Sequence, residues 1–600
     1  MEGVSFDPDV LKQKYQEERD KRLQLRPQGN AQYVKLEGRF AHYLEDPYTE
    51  RRERAPIKGD VEVAILGGGF GGLLAAARLR EAGVDDIQIF EKGGDFGGTW
   101  YWNRYPGAAC DVESYVYMPL LEEVGYLPVE KYARAAEIFE HARNIGRKFD
   151  LYPKTLFHTE IKELRYDEAA GRWIIRTDRG DVIRSRFFVM ASGPLQEPKL
   201  PGVPGIETFK GHSFHTSRWD YGYTGGDATG GLTGLQDKVV GIIGTGATAI
   251  QCVPHVGKWA KQLYVFQRTP SSVDIRNDHP TDPAWAETLT PGWQRRRIIN
   301  FTAVQSGIPM EEDLVNDSWT KFIHVIMRRA TPDMTPEQLG ELAQLADYAV
   351  MEKVRARIDE VVKDRATAEA LKPWYNRLCK RPCFHDDYLE TFNRPNVTLV
   401  DTNGRGVERI SEDAIFANGR EYKVDCLVYA TGFELAAFTN RAVMPVLGRK
   451  GVPLTEKWRE GATTLHGIHV HGFPNFMILS TTQSAWGANF PHMMDEQARH
   501  IAWIIRKVKD RGAATIEVTA DAESAWVKFH DENAEPILRI WRDCTPGFFN
   551  NEGVPSPAIR RDGAFGGGVL ELVRILEEWR ARDDLQGLQL DFREVATAAS

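Results

Sequence analysis

The chain has 600 residues, of which 42% are hydrophobic and 27% charged, and its net charge is −9. That length predicts two or more cores, the composition is that of a globular protein, and the negative balance excludes nucleic acid or an anionic membrane surface as the main partner. No run approaches the about 18 apolar residues of a membrane span, the start Met1-Glu-Gly-Val-Ser-Phe6 lacks the basic and apolar regions of a secretory signal, and six cysteines make no disulfide framework, so a reduced, cytoplasmic chain is expected.

Residues 8–30 are highly charged, with Leu11, Tyr15 and Leu23 thinly spaced, and predict a solvated helix or an arm laid on the main body. Val61–Leu66 reads as a buried strand. Gly67, Gly69 and Gly72 follow as G-x-G-x-x-G, then a helix over Leu73–Ala82, then a strand Ile87–Phe90 ending in Glu91. Strand, glycine turn, helix, strand and terminal acid make a complete dinucleotide fingerprint. The glycines admit a pyrophosphate to the helix N-terminus, and Glu91 is placed to accept from ribose hydroxyls. Gly97 to Gly107, with Trp100, Tyr101, Trp102 and Tyr105, fits no helical or strand period; aromatic density there suits a flat ring system or a core.

Phe187–Met190 runs into Ala-Ser-Gly193, and Cys426–Tyr429 into Ala-Thr-Gly432. The repeat predicts two strands of one sheet ending at one ligand, with an inserted domain between them. Pro194, Pro198, Pro201 and Pro204 predict a stiff linker into that insert.

Lys238–Ile243 is a second strand, and Gly244, Gly246 and Ala249 form G-x-G-x-x-A, completed by a helix and the strand Leu263–Phe266. Glu91 lies 24 residues after Gly67, and Arg268 lies 24 residues after Gly244. A carboxylate favours a free 2′-hydroxyl and a guanidinium a 2′-phosphate, so the second site is expected to prefer NADPH. Residues 280–370 read as helical and could cover a substrate site or only enlarge the domain. Cys379 and Cys383 lack the partners of a metal site and read as ordinary thiols, and Phe392–Val400 reads as the return to the first domain. The run from Thr481 to Met494 suits either an adaptable apolar pocket or a core.

Two dinucleotide sites with different ribose readers imply a flavin and a nicotinamide donor. No Cys-x-x-Cys stands where a flavin disulfide reductase needs one, which leaves oxygen as the simplest electron acceptor. Phe209, Gly211, His215, Trp219 and Asp220 fit F-x-G-x-x-x-H-x-x-x-W-(P/D), and Gly97, Gly98, Trp100, Tyr105, Pro106, Gly107 and Asp111 fit G-G-x-W-x-x-x-x-Y-P-G-x-x-x-D. With these motifs the chain, from about residue 57 to 510, resembles the type I Baeyer–Villiger monooxygenases. Its end segments are similar to those of the subgroup acting on large rings and polycyclic ketones.

The resemblance implies an α/β fold of two Rossmann-like domains, the NADP domain inserted in the FAD domain, with a helical subdomain. Expected boundaries are 1–57 for an N-terminal extension, 58–198 for the first part of the FAD domain and 199–387 for the NADP domain with a helical insertion near 280–375. The FAD domain returns over 388–528 and a C-terminal extension follows over 529–600. The resemblance also implies that O2 is inserted beside the carbonyl of a bulky cyclic ketone, through a C4a-peroxyflavin, to give a lactone or ester. Arg381 is expected to support the oxygen chemistry and Asp111 to position Arg381. Thr99, Trp100, Tyr101, Trp102, Tyr117 and Ile161 match positions around FAD. Gly244, Thr245, Gly246, Ala247, Thr248, Ala249 and Ile250 match the NADP turn, and Arg268, Thr269 and Lys380 its phosphate contacts. His215 and Trp219 are expected to set how the domains meet. A flavin monooxygenase acting on N or S atoms, or an NADPH oxidase, remains the alternative; Trp219-Asp220 favours ketone chemistry.

Overall fold

In the computed structural model the described residues are 6–25, 32–195, 197–331, 333–434, 444–554 and 558–592. The charged N-terminal segment forms helix α1 (Pro8–Gln24), started by Asp7, whose carboxylate accepts from the amides of Asp9 and Val10, and by proline in the first turn. It is an arm on the main body. Leu11 and Tyr15 are buried, and Tyr15 packs edge-on against Tyr348 with ring centroids 5.4 Å apart.

The first dinucleotide unit folds as its pattern predicts: β1 (Lys58–Leu66), α2 (Phe70–Glu81) and β2 (Ile87–Phe90), with β3 (Val182–Met190) on the far side of β1. The parallel order β3-β1-β2 is extended by Thr155–Leu156 beyond β2 and by Arg172–Thr177, Ile161–Asp167 and Val446–Leu447 beyond β3; Phe476–Ile478 also pairs with β3. Burial on both faces explains the apolar ends of these strands, Val63–Leu66 of β1 and Phe187–Met190 of β3. On one face α2 buries Leu73, Leu74, Ala75, Ala76, Ala77 and Leu79 completely. Each such leucine contributes about 1.5–3 kcal/mol.

The Phe209–Asp220 motif, a linker motif between the two dinucleotide units, does not lie loose between them. Its residues form β4 (His212–His215), an edge strand of a second parallel sheet. That sheet is built on β5 (Val239–Ile243), α3 (Ala247–Trp259) and β6 (Gln262–Gln267). The residues after it form helices, the longest being α4 (Pro336–Val361), opened by a Thr335–Gln338 capping box. The chain then returns as β7 (Val397–Asp401) and β8 (Cys426–Tyr429), giving the order β7-β6-β5-β8-β4.

This register corrects two expectations. β8 pairs with β5, Val240 opposite Cys426, and not with the first sheet, so the two strand–small–glycine repeats do not end one sheet. Phe392–Val400 likewise returns to the second sheet through β7, and residue 388 therefore falls before strands of the inserted sheet rather than at its end. The reason for the misreading is physical: a buried parallel strand ending beside a glycine turn has one sequence signature whichever sheet holds it. Each repeat serves its own turn. An added Cβ at Gly67, where φ is 105°, would lie 2.5 Å from Ala191 O, and at Gly244, where φ is 115°, 2.4 Å from Ala430 O.

The chain regains the first body through Val446–Leu447 and Phe476–Ile478 and the amphipathic helix α5 (Phe490–Asp510), which packs Ile501, Ile504, Ile505 and Val508 inward. Arg78 of α2 is locked to Asp495 of α5 at 2.6 and 2.8 Å. Cys379 is not a free thiol. It is bonded to Cys544, 165 residues away, a pairing no local spacing reveals. Among the described residues no helix is long and apolar enough to cross a membrane.

Candidate functional site

Both glycine turns open into one cavity of about 790 Å³ between the two sheets. Among the expected site residues, Gly67, Gly69, Glu91, Thr99, Trp100, Trp102, Asp111, Tyr117 and Ile161 line its first end. Gly244, Thr245, Gly246, Ala247, Thr248, Arg268, Thr269, Lys380 and Arg381 line the other. Gly72, Tyr101, Ala249 and Ile250 lie behind the wall. A Cβ on Gly72 would fall 1.8 Å from Gly67 O, Ala249 and Ile250 face the core, and the Tyr101 hydroxyl is tied to Asp46 and Thr49. These four residues therefore support the wall from behind instead of facing the cavity.

Each end fits a dinucleotide. Gly69 faces Gly98, whose Cα an added Cβ would meet at 3.3 Å, while a Cβ on Gly246 would meet nothing within 4 Å and would fill the open space at the second turn. Glu91 accepts from the amides of Gly68 and Gly93, each at 2.6 Å. Each oxygen retains capacity for a ribose hydroxyl. Burial pushes this carboxyl up in pKa, against the pull of the two amides. Thr245 Oγ1 donates to Thr269 O at 3.0 Å, fixing the second turn to the end of β6.

The two ends meet at Arg381. Its Nη2 donates to Asp111 Oδ1 at 2.5 Å and its Nε to Asp111 Oδ2 at 3.1 Å, a bidentate pair linking the segment after the helical insert to the aromatic loop of the first domain. Burial alone would lower the guanidinium pKa; Asp111 overrides it and raises it. The insert has a part here that sequence left open. Trp319 donates through Nε1 to Asp111 O at 2.7 Å, and its ring lies 5.4 Å from the Arg381 guanidinium. Tyr117 accepts from Trp100 Nε1 at 3.1 Å. Burial pushes the Tyr117 hydroxyl and the Cys110 thiol up, and the Cys383 thiol up to about 12, so these neighbours of Arg381 stay neutral.

The linker motif stays out of the cavity. His215 is fully buried; its Nδ1 accepts from the Ser217 amide at 3.2 Å, so Nε2 donates to Gly432 O at 3.1 Å. Burial lowers its pKa to about 3, which keeps it neutral. Trp219 is buried, its amide donating to Tyr48 OH, which in turn donates to Trp102 O at 3.2 Å. The motif thus joins the glycine loop after β8 to the aromatic loop of the first domain.

Sequence reasoning did not find Gln32, Tyr33, Lys92 and Glu552, which also line the cavity, nor Arg22 of α1, whose Nε donates to Thr269 Oγ1 at 3.1 Å. Nothing local marks them, since they arrive from the chain's ends or from between motifs. The soft segment does contribute a wall: Trp486, Phe490 and Met494 face the cavity, while Met493 packs into the core.

Residues 65–125 match the family described as NAD(P)-binding Rossmann-like domain. The chain is 53% identical to neopentalenolactone D synthase of Streptomyces avermitilis over 97% of this chain and 99% of that one. It is 50% identical to Baeyer-Villiger monooxygenase ATR8 of Stachybotrys chlorohalonatus over 98% and 95%. The chain belongs to the type I Baeyer–Villiger monooxygenases. Among solved structures, the polycyclic ketone monooxygenase of Thermothelomyces thermophila superposes on this monooxygenase with a TM-score of 0.91 at 40% identity, covering 97% of this chain and 99% of its own. OTEMO in complex with FAD and NADP superposes with a TM-score of 0.71 at 27% identity, covering 90% and 100%. The two Rossmann-like units are thus those of this family's fold.

Proposed function

We propose that this monooxygenase uses FAD and NADPH to insert one atom of O2 beside the carbonyl of a bulky cyclic ketone, giving a lactone. The observation that carries the reading is the Arg381–Asp111 pair at the meeting point of two dinucleotide cradles in a single cavity. FAD would be held by the first turn, Glu91 and the aromatic loop, and NADPH by the second turn, Arg268, Thr269 and Lys380. Bound FAD supplies the redox chemistry that activates oxygen, with NADPH as hydride source.

The protein's own part is positional and electrostatic. Asp111 fixes the guanidinium plane, and Arg381 presents a charge that no accessible pH removes. Apart from Asp111 its neighbours Cys110, Tyr117 and Cys383 are neutral and add no second anion, so the guanidinium still stabilises the negative charge that develops on the substrate oxygen as the carbonyl is attacked. Trp486, Phe490 and Met494 line the same cavity and offer apolar surface to a polycyclic skeleton. The likeness to a polycyclic ketone monooxygenase and to a lactone synthase supports a fused-ring ketone over a small monocyclic one. NADPH consumption supports the cytoplasmic placement, while the Cys379–Cys544 disulfide contradicts the reduced state expected from the cysteine count.

The test is Arg381→Ala. Reduction of the flavin by NADPH is expected to survive, while lactone formation from a panel of polycyclic ketones falls by about 10²-fold or more. Lactone formation near the native rate would refute the assignment of Arg381.

A further inference from the structure

Arg268 stands at the end of β6 inside a small ring of polar groups. Its Nη1 donates to Gln32 Oε1 at 2.8 Å, and its Nη2 donates to Tyr33 OH at 3.3 Å and to Glu552 Oε2 at 3.4 Å. Tyr33 OH donates onward to Glu552 Oε1 at 3.2 Å, so guanidinium, phenol and carboxylate close on one another. Two of the three partners come from the N-terminal segment and the third from the C-terminal tail. All four residues line the cavity beside Thr269 and Lys380.

Glu552 is delivered there by a specific turn. Asn551 and Glu552 have φ of 52° and 55° and Gly553 of 83°, so two non-glycine residues take the left-handed conformation in succession. Asn550 holds the turn by accepting from the amides of Gly547 at 2.9 Å and Gly553 at 3.1 Å. Cys544, just upstream, is bonded to Cys379, the residue before Lys380 and Arg381. The Glu552 side chain is buried, and it meets Arg268, the guanidinium placed to read the 2′ position of the nicotinamide dinucleotide.

A carboxylate has the wrong charge for that task. It cannot share one guanidinium with a 2′-phosphate without repulsion between two anions in a partly enclosed site. It has the right chemistry for a free 2′-hydroxyl, which donates to it. We propose that Glu552 competes with the 2′-phosphate of NADPH for Arg268 and accepts from the 2′-hydroxyl of NADH, so that the C-terminal tail sets the nucleotide selectivity of this monooxygenase. NADPH binds by moving Glu552 off Arg268; NADH binds with the ring intact. This rests on the placement of the nicotinamide dinucleotide's adenosine end at Arg268.

The experiment is the ratio of Michaelis constants for NADH and NADPH in the holoenzyme, the Glu552→Gln variant and the Arg268→Ala variant. A ratio within one preparation does not depend on how much of it is active. In Glu552→Gln the NADPH constant is expected to fall at least fivefold and the NADH constant to rise at least twofold. An NADPH constant that stays or rises in Glu552→Gln would overturn the proposal, because Glu552 would then only brace Arg268. Arg268→Ala separates the two readings. A large rise in its NADPH constant with no fall in Glu552→Gln removes this inference alone, whereas an unchanged constant in Arg268→Ala removes the placement of the nucleotide, and with it this inference.

Discussion

The proposed chemistry of the site turns on the salt bridge of Arg381 and Asp111, residues 270 positions apart. Asp111 fixes the Arg381 plane through two hydrogen bonds, and Trp319 of the insert holds the Asp111 backbone. Asp111→Asn keeps the shape and removes the charge. The expected result is an enzyme that still oxidises NADPH but yields about tenfold less lactone per NADPH consumed, the balance appearing as hydrogen peroxide; matched assays of product and peroxide check it. Asp111 and both glycine turns could be singled out in the sequence because each lies in a dense local motif, whereas Arg381 entered only through the family resemblance. Glu552, Tyr33 and Arg22 could not be singled out, because each is an isolated residue whose neighbours come from the far end of the chain.

At the scale of elements, the two Rossmann units repeat one device. The middle strand ends in a glycine whose hydrogen side faces the carbonyl of a small residue ending the adjacent strand, Ala191 in one sheet and Ala430 in the other. No larger residue fits, since both glycines have positive φ and the contact is with backbone that cannot yield. Gly67→Ala is therefore expected to purify without flavin, seen as loss of the visible absorbance. Gly244→Ala is expected to keep its flavin and raise the NADPH Michaelis constant by about tenfold or more. The same symmetry misled the reading of β3 and β8. Their sequences say that each is buried and ends beside a glycine turn, and both statements are true of different sheets.

At the scale of the whole molecule, the fold buries many neutral histidines. Burial lowers His215, His385, His466 and His469 to about 3, and His141 and His492 to about 4. The unfolded chain binds protons at these positions near pH 6.5 and the folded chain does not, so the native state is favoured above pH 6.5 and loses ground as pH falls toward 4. Each histidine contributes up to about 1.4 kcal/mol per pH unit in that window. Asp347, pushed up by burial to about 7, acts in the opposite sense, as do the raised carboxyls of Glu91, Glu113, Glu130, Glu197 and Asp317, whereas the lowered His158, His255, His500 and His530 act with the six histidines. The expected thermal midpoint is highest near neutral pH and falls steeply between pH 6.5 and 4; a midpoint constant across that range would contradict the buried, neutral state of these side chains.

The sequence by itself determined the two dinucleotide units, the switch from acid to base at their ribose positions and the family, because glycine spacing, strand periodicity and short motifs are local properties that survive without a fold. Only the tertiary structure decided which sheet each returning strand joins, that Cys379 finds Cys544, and that both chain ends converge on Arg268. Those are choices of partner between segments hundreds of residues apart. They are set by which buried surfaces and hydrogen-bonding edges fit together once the core has formed, and no single segment carries that information.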